Sequence, residues 1–425
     1  KERKEKMKKS TRDAIVIGFA LFSMFFGAGN LIFPAYLGNE VGSQFLLGII
    51  GFIITGVGLP LLAIVSCSMG DGTFDSISNR IGKRFSTILT ILLFMAIGPM
   101  LAIPRTAATT FELAINPFFP NIPPIVAMTI YFLINIFFVF KSSSVIDTLG
   151  KYLTPILIIL LGSIIIKGIV MPIDQIIGTN AVNVFSSSLL EGYQTMDAIA
   201  ALLFAGIITK SLKSKGYKKK EMSSMLIQAS IVAGIGLAFV YGGLTYIGAQ
   251  TVNLAPDNIG KTEILILISK SILGNAGPIL IGTAMGLACL TTSIGLITTG
   301  AEFFQKVSNG KLPYKINALI IALISLAIAT LGVDKIISLS VPILNVLYPV
   351  SITLIVTTLL NSLINNINTI KLGTYTSLIF GILSIIPGIN LDFIPFANIG
   401  FPWLVPTIIV IVVGSLVFPN RNKNI

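Results

Sequence analysis

Three small groups of residues carry most of the chemistry open to this chain, and each lies inside an apolar run. The first is Phe26-Gly27-Ala28-Gly29-Asn30, near the middle of residues 14–37 and just ahead of Pro34. A helix crossing hydrocarbon keeps its backbone hydrogen bonds within itself, and two glycines followed by an asparagine undo that. Freed N–H and C=O groups at membrane depth are tolerated where they meet protein, water or a ligand. The second group is Asp197 with the uncharged stretch that runs from it to Lys210. As a helix that stretch reaches only about 18 Å, so either its backbone is extended or Asp197 enters the bilayer. A carboxylate near the bilayer centre costs at least about 2.5–3.5 kcal/mol and calls for a partner. The third group is Thr291-Thr292-Ser293, followed by Thr298 and Thr299. One membrane threonine commonly bonds the carbonyl of the preceding turn, but adjacent hydroxyls cannot all face lipid. Thr291, Thr292 and the carbonyl of Ala288 offer oxygens to a hard cation such as sodium, and the first break would supply the rest.

The elements that position these groups are membrane helices. The chain has 425 residues, 54% of them hydrophobic and 11% charged, and its mean hydropathy is +0.92. A soluble domain of this length does not need so much apolar surface. A crossing takes roughly 20 apolar residues, and the sequence holds about twelve such runs. They extend from 14–37, 44–69 and 85–110 through 193–212 and 275–304 to 372–389 and 399–418. With the N-terminus placed inside, every Lys and Arg except Arg105, Lys167, Lys261, Lys270 and Lys335 falls on the inner side. That is the positive-inside bias, and it predicts a cytoplasmic N-terminus and C-terminus. The net charge of +12 is thus spread as a topology signal that touches anionic lipid, without a basic groove for nucleic acid. The charged opening and the long first run predict no cleaved leader.

Interrupted first and sixth crossings are the expected trace of an inverted repeat with a site at the interface of its halves. The organisation expected is a basic tail 1–13, five crossings in 14–170, five more in 186–362 and two additional crossings in 371–418. Cys67 and Cys289 sit in apolar spans and read as packing residues. Histidine is absent, which removes the commonest proton relay and the commonest zinc ligand. With no clustered metal set and no nucleophilic triad, an enzyme is excluded; no repeated charge ring or carbonyl filter suggests a channel. Gly18, Gly48, Gly51, Gly56 and Gly58 read as close-packing positions.

Several motifs resemble the bacterial branched-chain amino-acid carriers, the leucine/isoleucine/valine:cation symporters. They are Phe26-Gly-Ala-Gly-Asn-Leu-Ile-Phe-Pro34, Ala102-Ile-Pro-Arg-Thr-Ala-Ala-Thr-Thr-Phe111 and Glu191-Gly-Tyr-Gln-Thr-Met-Asp-Ala-Ile-Ala-Ala-Leu-Leu-Phe204. The resemblance covers essentially the whole chain. It implies an all-α integral membrane protein of about twelve helices with the LeuT-type 5+5 inverted repeat, helices 1 and 6 broken. It also implies that the amides of Gly27, Ala28 and Gly29 bind the substrate carboxylate. Ala200, Ala201, Leu202 and Phe204 would line the aliphatic pocket. A sodium site would draw on Ser23, Phe26, Ala288, Thr291 and Thr292. The group's other sodium site matches Asn30, but Ile199 stands where a hydroxyl is needed, so Asp197 is expected to take part of that role. The implied activity is electrogenic import of leucine, isoleucine or valine with sodium across the bacterial inner membrane. The runner-up is proton coupling through Asp197. No cofactor other than the coupling ion and no obligate protein partner is expected.

The remaining charges and patterns yield smaller expectations. Arg105, read at the outer end of the third crossing, would form an outer gate with Glu112. Residues 264–273 would make an external lid, and 73–84 an amphipathic helix on the inner face.

Overall fold

Helices follow the apolar runs, and glycine and proline mark many of the places where they stop or bend. The computed structural model describes residues 2–141, 144–214, 216–364 and 366–418, with the side chains of 2–10, 144–154, 214 and 220 left aside. Helix α1 (Glu2–Phe25) runs from the basic tail into the membrane without interruption and stops at Phe26-Gly27-Ala28; α2 (Gly29–Val41) resumes the crossing. The return passes through α3 (Phe45–Ile53), a wide π turn over Ile54–Gly58, and α4 (Leu59–Met69). A short turn, α5 (Asp75–Ser78), precedes the third crossing, α6 (Lys83–Met95) and α7 (Ala102–Thr110), with π turns at Ala96–Met100 and Phe111–Ile115. Then come α8 (Pro124–Lys141) and α9 (Ser144–Val170).

The second half opens with another broken crossing: α10 (Val184–Tyr193), an unwound Gln194-Thr195-Met196, and α11 (Asp197–Ser214). It continues through α12 (Lys219–Ala249), α13 (Glu263–Leu273), α14 (Gly277–Val307), α15 (Tyr314–Ala329) and α16 (Val333–Leu359). Helices α17 (Ile367–Leu383) and α18 (Leu404–Val417) follow, packed side by side, with α17 also against α16. No strand occurs among the described residues. By length and composition, seven helical stretches among them are apolar enough to cross a membrane. The outside is as apolar as the inside, with Leu416 80%, Ile159 68% and Leu323 65% exposed; such a surface suits lipid and not water.

Helix α12 packs along both α1 and α2, and glycine makes the approach possible. A Cβ on Gly38 would collide with the Thr245 carbonyl, and one on Gly248 with the Ala35 carbonyl. Gly18 and Gly51 are close-packed in the same manner against Val232 and Phe185, whereas Gly58 has room to spare.

One local expectation is corrected, and one break had no expectation. Residues 73–84 do not lie on a surface as an amphipathic helix: before α6 begins at Lys83 only Asp75–Ser78 is helical, and Phe74, Ile77 and Ile81 are buried in the core. Gly72 and Gly82 in positive-φ conformations cut the segment short. The third crossing is not a continuous helix. Gly98 takes a non-helical conformation (φ −90°, ψ −116°) ahead of Pro99, since a residue before proline avoids the helical region and proline itself lacks the N–H.

Candidate functional site

The two unwound segments and the third-crossing break meet around one cavity. From the first crossing, Gly27, Ala28 and Gly29 line it; from the sixth come Asp197, Ala200 and Phe204. Arg105 and Thr106 of α7 and Thr292 of α14 complete the polar wall. Phe25 and Phe204 face each other across it with ring centroids 6.1 Å apart.

Asn30 fixes the first break. Its side-chain oxygen accepts from the Gly27 N–H at 2.8 Å. Its amide nitrogen donates to Asp197 Oδ2 at 2.8 Å and to the Tyr241 hydroxyl. Tyr241 in turn donates to the same Asp197 oxygen at 2.6 Å. Asp197, 1% exposed, therefore has the partners that its depth demands, both of them neutral. Tyr241 was not singled out in the sequence; it is one of two phenols, with Tyr246, in the apolar 235–249 run. Because the Gly27 amide is already engaged, the open end of the break consists of the Ala28 and Gly29 amides. Neither finds an acceptor among the described residues.

On the other side of the break, the Phe26 carbonyl accepts from Thr292 Oγ1 at 3.2 Å. Thr291 Oγ1 donates back to the Ala288 carbonyl at 2.9 Å. The first and eighth crossings thus touch through the oxygens expected of an ion site. Ser23 stands half-buried one turn before Phe26, with Ala288 buried on α14.

Ala201 and Leu202 are placed elsewhere. Both are fully buried but do not line the cavity. The side of α11 that carries Asp197, Ala200 and Phe204 faces the cavity, and a helix turns the residues between them away. Leu202 faces α4, where the Cys67 thiol approaches its carbonyl at 3.9 Å.

Arg105 and Glu112 do not pair. Glu112 accepts from the Thr262 hydroxyl at 2.8 Å and from the Val333 N–H at 3.0 Å. The adjacent Lys261 bridges to Glu191 at 2.9 Å and lies 4.1 Å from the Tyr36 ring centroid. The segment ahead of α13 is thus tied to α2, α10 and the π turn at Phe111–Ile115, whereas the bonds of α13 itself, where the lid was expected, are not part of this link. Arg105 is instead buried, 4% exposed, within the cavity wall. Its Nη1 donates to the Gln194 carbonyl at 2.7 Å, and its guanidinium lies 5.1 Å from the Phe33 ring centroid. Gln194, also unforeseen, holds the sixth-crossing break by accepting from Ser340 Oγ at 2.5 Å as well.

This arrangement has relatives. Residues 10–421 match the family described as branched-chain amino acid transport protein. The branched-chain amino acid permease BraB of Bacillus subtilis is 36% identical, covering 97% of this chain and 98% of that one. BrnQ of the same organism, also a branched-chain amino acid permease, is 34% identical over 98% and 99% of the two chains. Among solved structures, MHP1, a nucleobase-cation-symport-1 family transporter in a closed conformation, superposes with a TM-score of 0.66 at 13% identity, covering 96% of this chain and 94% of that one. A sodium-coupled sialic acid symporter gives 0.59 at 15% identity, over 96% and 90%. These likenesses establish the LeuT-type transporter fold. Matched along nearly its whole length, the chain belongs to the branched-chain amino acid transport protein family, which consists of multi-pass membrane carriers and not enzymes.

Proposed function

We propose that this chain is a sodium-coupled symporter that imports leucine, isoleucine or valine across the bacterial inner membrane by alternating access, with both termini cytoplasmic. The observation that carries the reading is the joint at the first break, where an open helix N-terminus faces the cavity and the Phe26 carbonyl meets Thr292. The amides of Ala28 and Gly29, at the positive end of α2, suit a carboxylate. Ala200 and Phe204 suit an aliphatic side chain, whose burial contributes about 1.5–3 kcal/mol. One methylene separates isoleucine from valine, so discrimination between them is modest. A sodium ion held by Ser23, Phe26, Ala288, Thr291 and Thr292 would tie α1 to α14 and favour the outward-open form. Substrate burial would then favour closure.

Sodium-dependent binding of radiolabelled leucine to the purified carrier, with Gly27→Leu as the variant, tests this. A Cβ at Gly27 meets Thr292 at an ordinary 3.5 Å, so the longer branch fills the cavity while the backbone is spared. Loss of leucine binding in a folded variant is expected; wild-type affinity would overturn the assignment. A second reading, proton coupling through Asp197, is favoured by one fact: among the described residues this buried carboxylate has neutral partners and no ion pair. Leucine uptake driven by a pH gradient without sodium would establish it.

A further inference from the structure

We propose that Arg105 is the residue that recognises the substrate's carboxylate, so that the cavity selects zwitterions over amines and amides of the same shape. This rests on the cavity being the amino-acid site proposed above, and it assigns to Arg105 a role other than gating.

A guanidinium carries five N–H donors and a permanent charge. Burying it without a counter-ion is among the costliest arrangements a membrane protein can hold. Arg105 is 4% exposed, and among the described residues it is not ion-paired; the hydrogen bond it makes is the one from Nη1 to the neutral Gln194 carbonyl. If its task were only to join the broken third and sixth crossings, a neutral donor would serve at far lower cost. Its remaining donors lie toward the open end of the first break. A Cβ on Gly29 would stand 2.7 Å from Nη2, which places that nitrogen against Gly29 at the start of α2, the residue whose amide is unbonded. The guanidinium is also held still, bonded at one edge and stacked at 5.1 Å on Phe33. A fixed fork beside free amides matches the geometry of a carboxylate. The same cavity carries Asp197, with which Arg105 forms no ion pair. Two opposite charges held apart in one small chamber mirror the carboxylate and ammonium of an amino acid. The absence of a side chain at residue 29 leaves the arginine room to occupy this place.

The test is competition for the purified carrier in sodium buffer by leucine, leucinamide and isoamylamine, the last lacking the carboxyl group. The wild type should prefer leucine strongly. In Arg105→Gln, leucine affinity should fall about 30-fold or more, while isoamylamine should bind better than it does to the wild type, because the uncompensated cation is gone. A structural arginine would not give that second change. Leucine affinity within threefold of wild type, or equal losses for all three compounds, would overturn the proposal. Arg105→Lys serves if the glutamine variant does not fold: leucine should weaken while its advantage over leucinamide persists, and equal binding of the two would overturn the proposal. Failure of the wild type to bind leucine at all would instead refute the transport reading on which this rests.

Discussion

At the scale of single residues, the account turns on which polar atoms meet across the breaks. Thr292 reaches the Phe26 carbonyl, so Thr292→Ala should raise the sodium concentration for half-maximal leucine binding about tenfold or more. Ser271→Ala, on the exposed face of α13, should leave it unchanged, and equal effects would remove the ion-site reading. That Asp197 needs a partner was legible, since a charge in lipid is costly, but its link to Asn30 came only from the family resemblance. Thr291 and Thr292 were legible because adjacent hydroxyls cannot all face lipid. Ala201 and Leu202 were not separable from Ala200, because residue type carries no information about the phase of a helix. Arg105 was misplaced for a different reason. Counting along the chain put it near the outer end of a straight crossing, but the π turns and the Gly98 break draw it into the cavity wall.

At the scale of elements, glycine does two jobs that sequence alone distinguishes poorly. Gly27 and Gly29 open the first crossing, and the asparagine beside them announced it. The sixth break, with no glycine in Gln194-Thr195-Met196, was legible only from the short reach between Asp197 and Lys210. The third break passed unnoticed because Gly98-Pro99 lies in an unbroken apolar run. Elsewhere glycine lets helices touch. Gly248→Val would drive a branched side chain into the Ala35 carbonyl of α2, costing about 1–3 kcal/mol or more. Its thermal unfolding midpoint in detergent should fall well below wild type. Gly58→Ala, whose added methyl meets nothing closer than 3.7 Å, should unfold with wild type; a matching fall in both would show that close approach is not what Gly248 provides.

At the scale of the whole molecule, the broken crossings have a consequence that intact helices could not supply. A cavity that is partly lined by main chain changes shape when neighbouring bundles move, and the segment at Lys261–Thr262 links several of the crossings that would have to part. The membrane class was readable from hydropathy and charge asymmetry, and the interrupted crossings from Gly27–Asn30 and the short reach between Asp197 and Lys210, while the meeting of Lys261 and Thr262 with Glu191 and Glu112 was set by topology. The most direct test of the central claim is uptake of radiolabelled leucine into proteoliposomes holding the wild-type carrier, with sodium or choline outside and no pH gradient. The account predicts accumulation with sodium, faster when the interior is negative, and competed by isoleucine and valine. Equal accumulation in choline would contradict it.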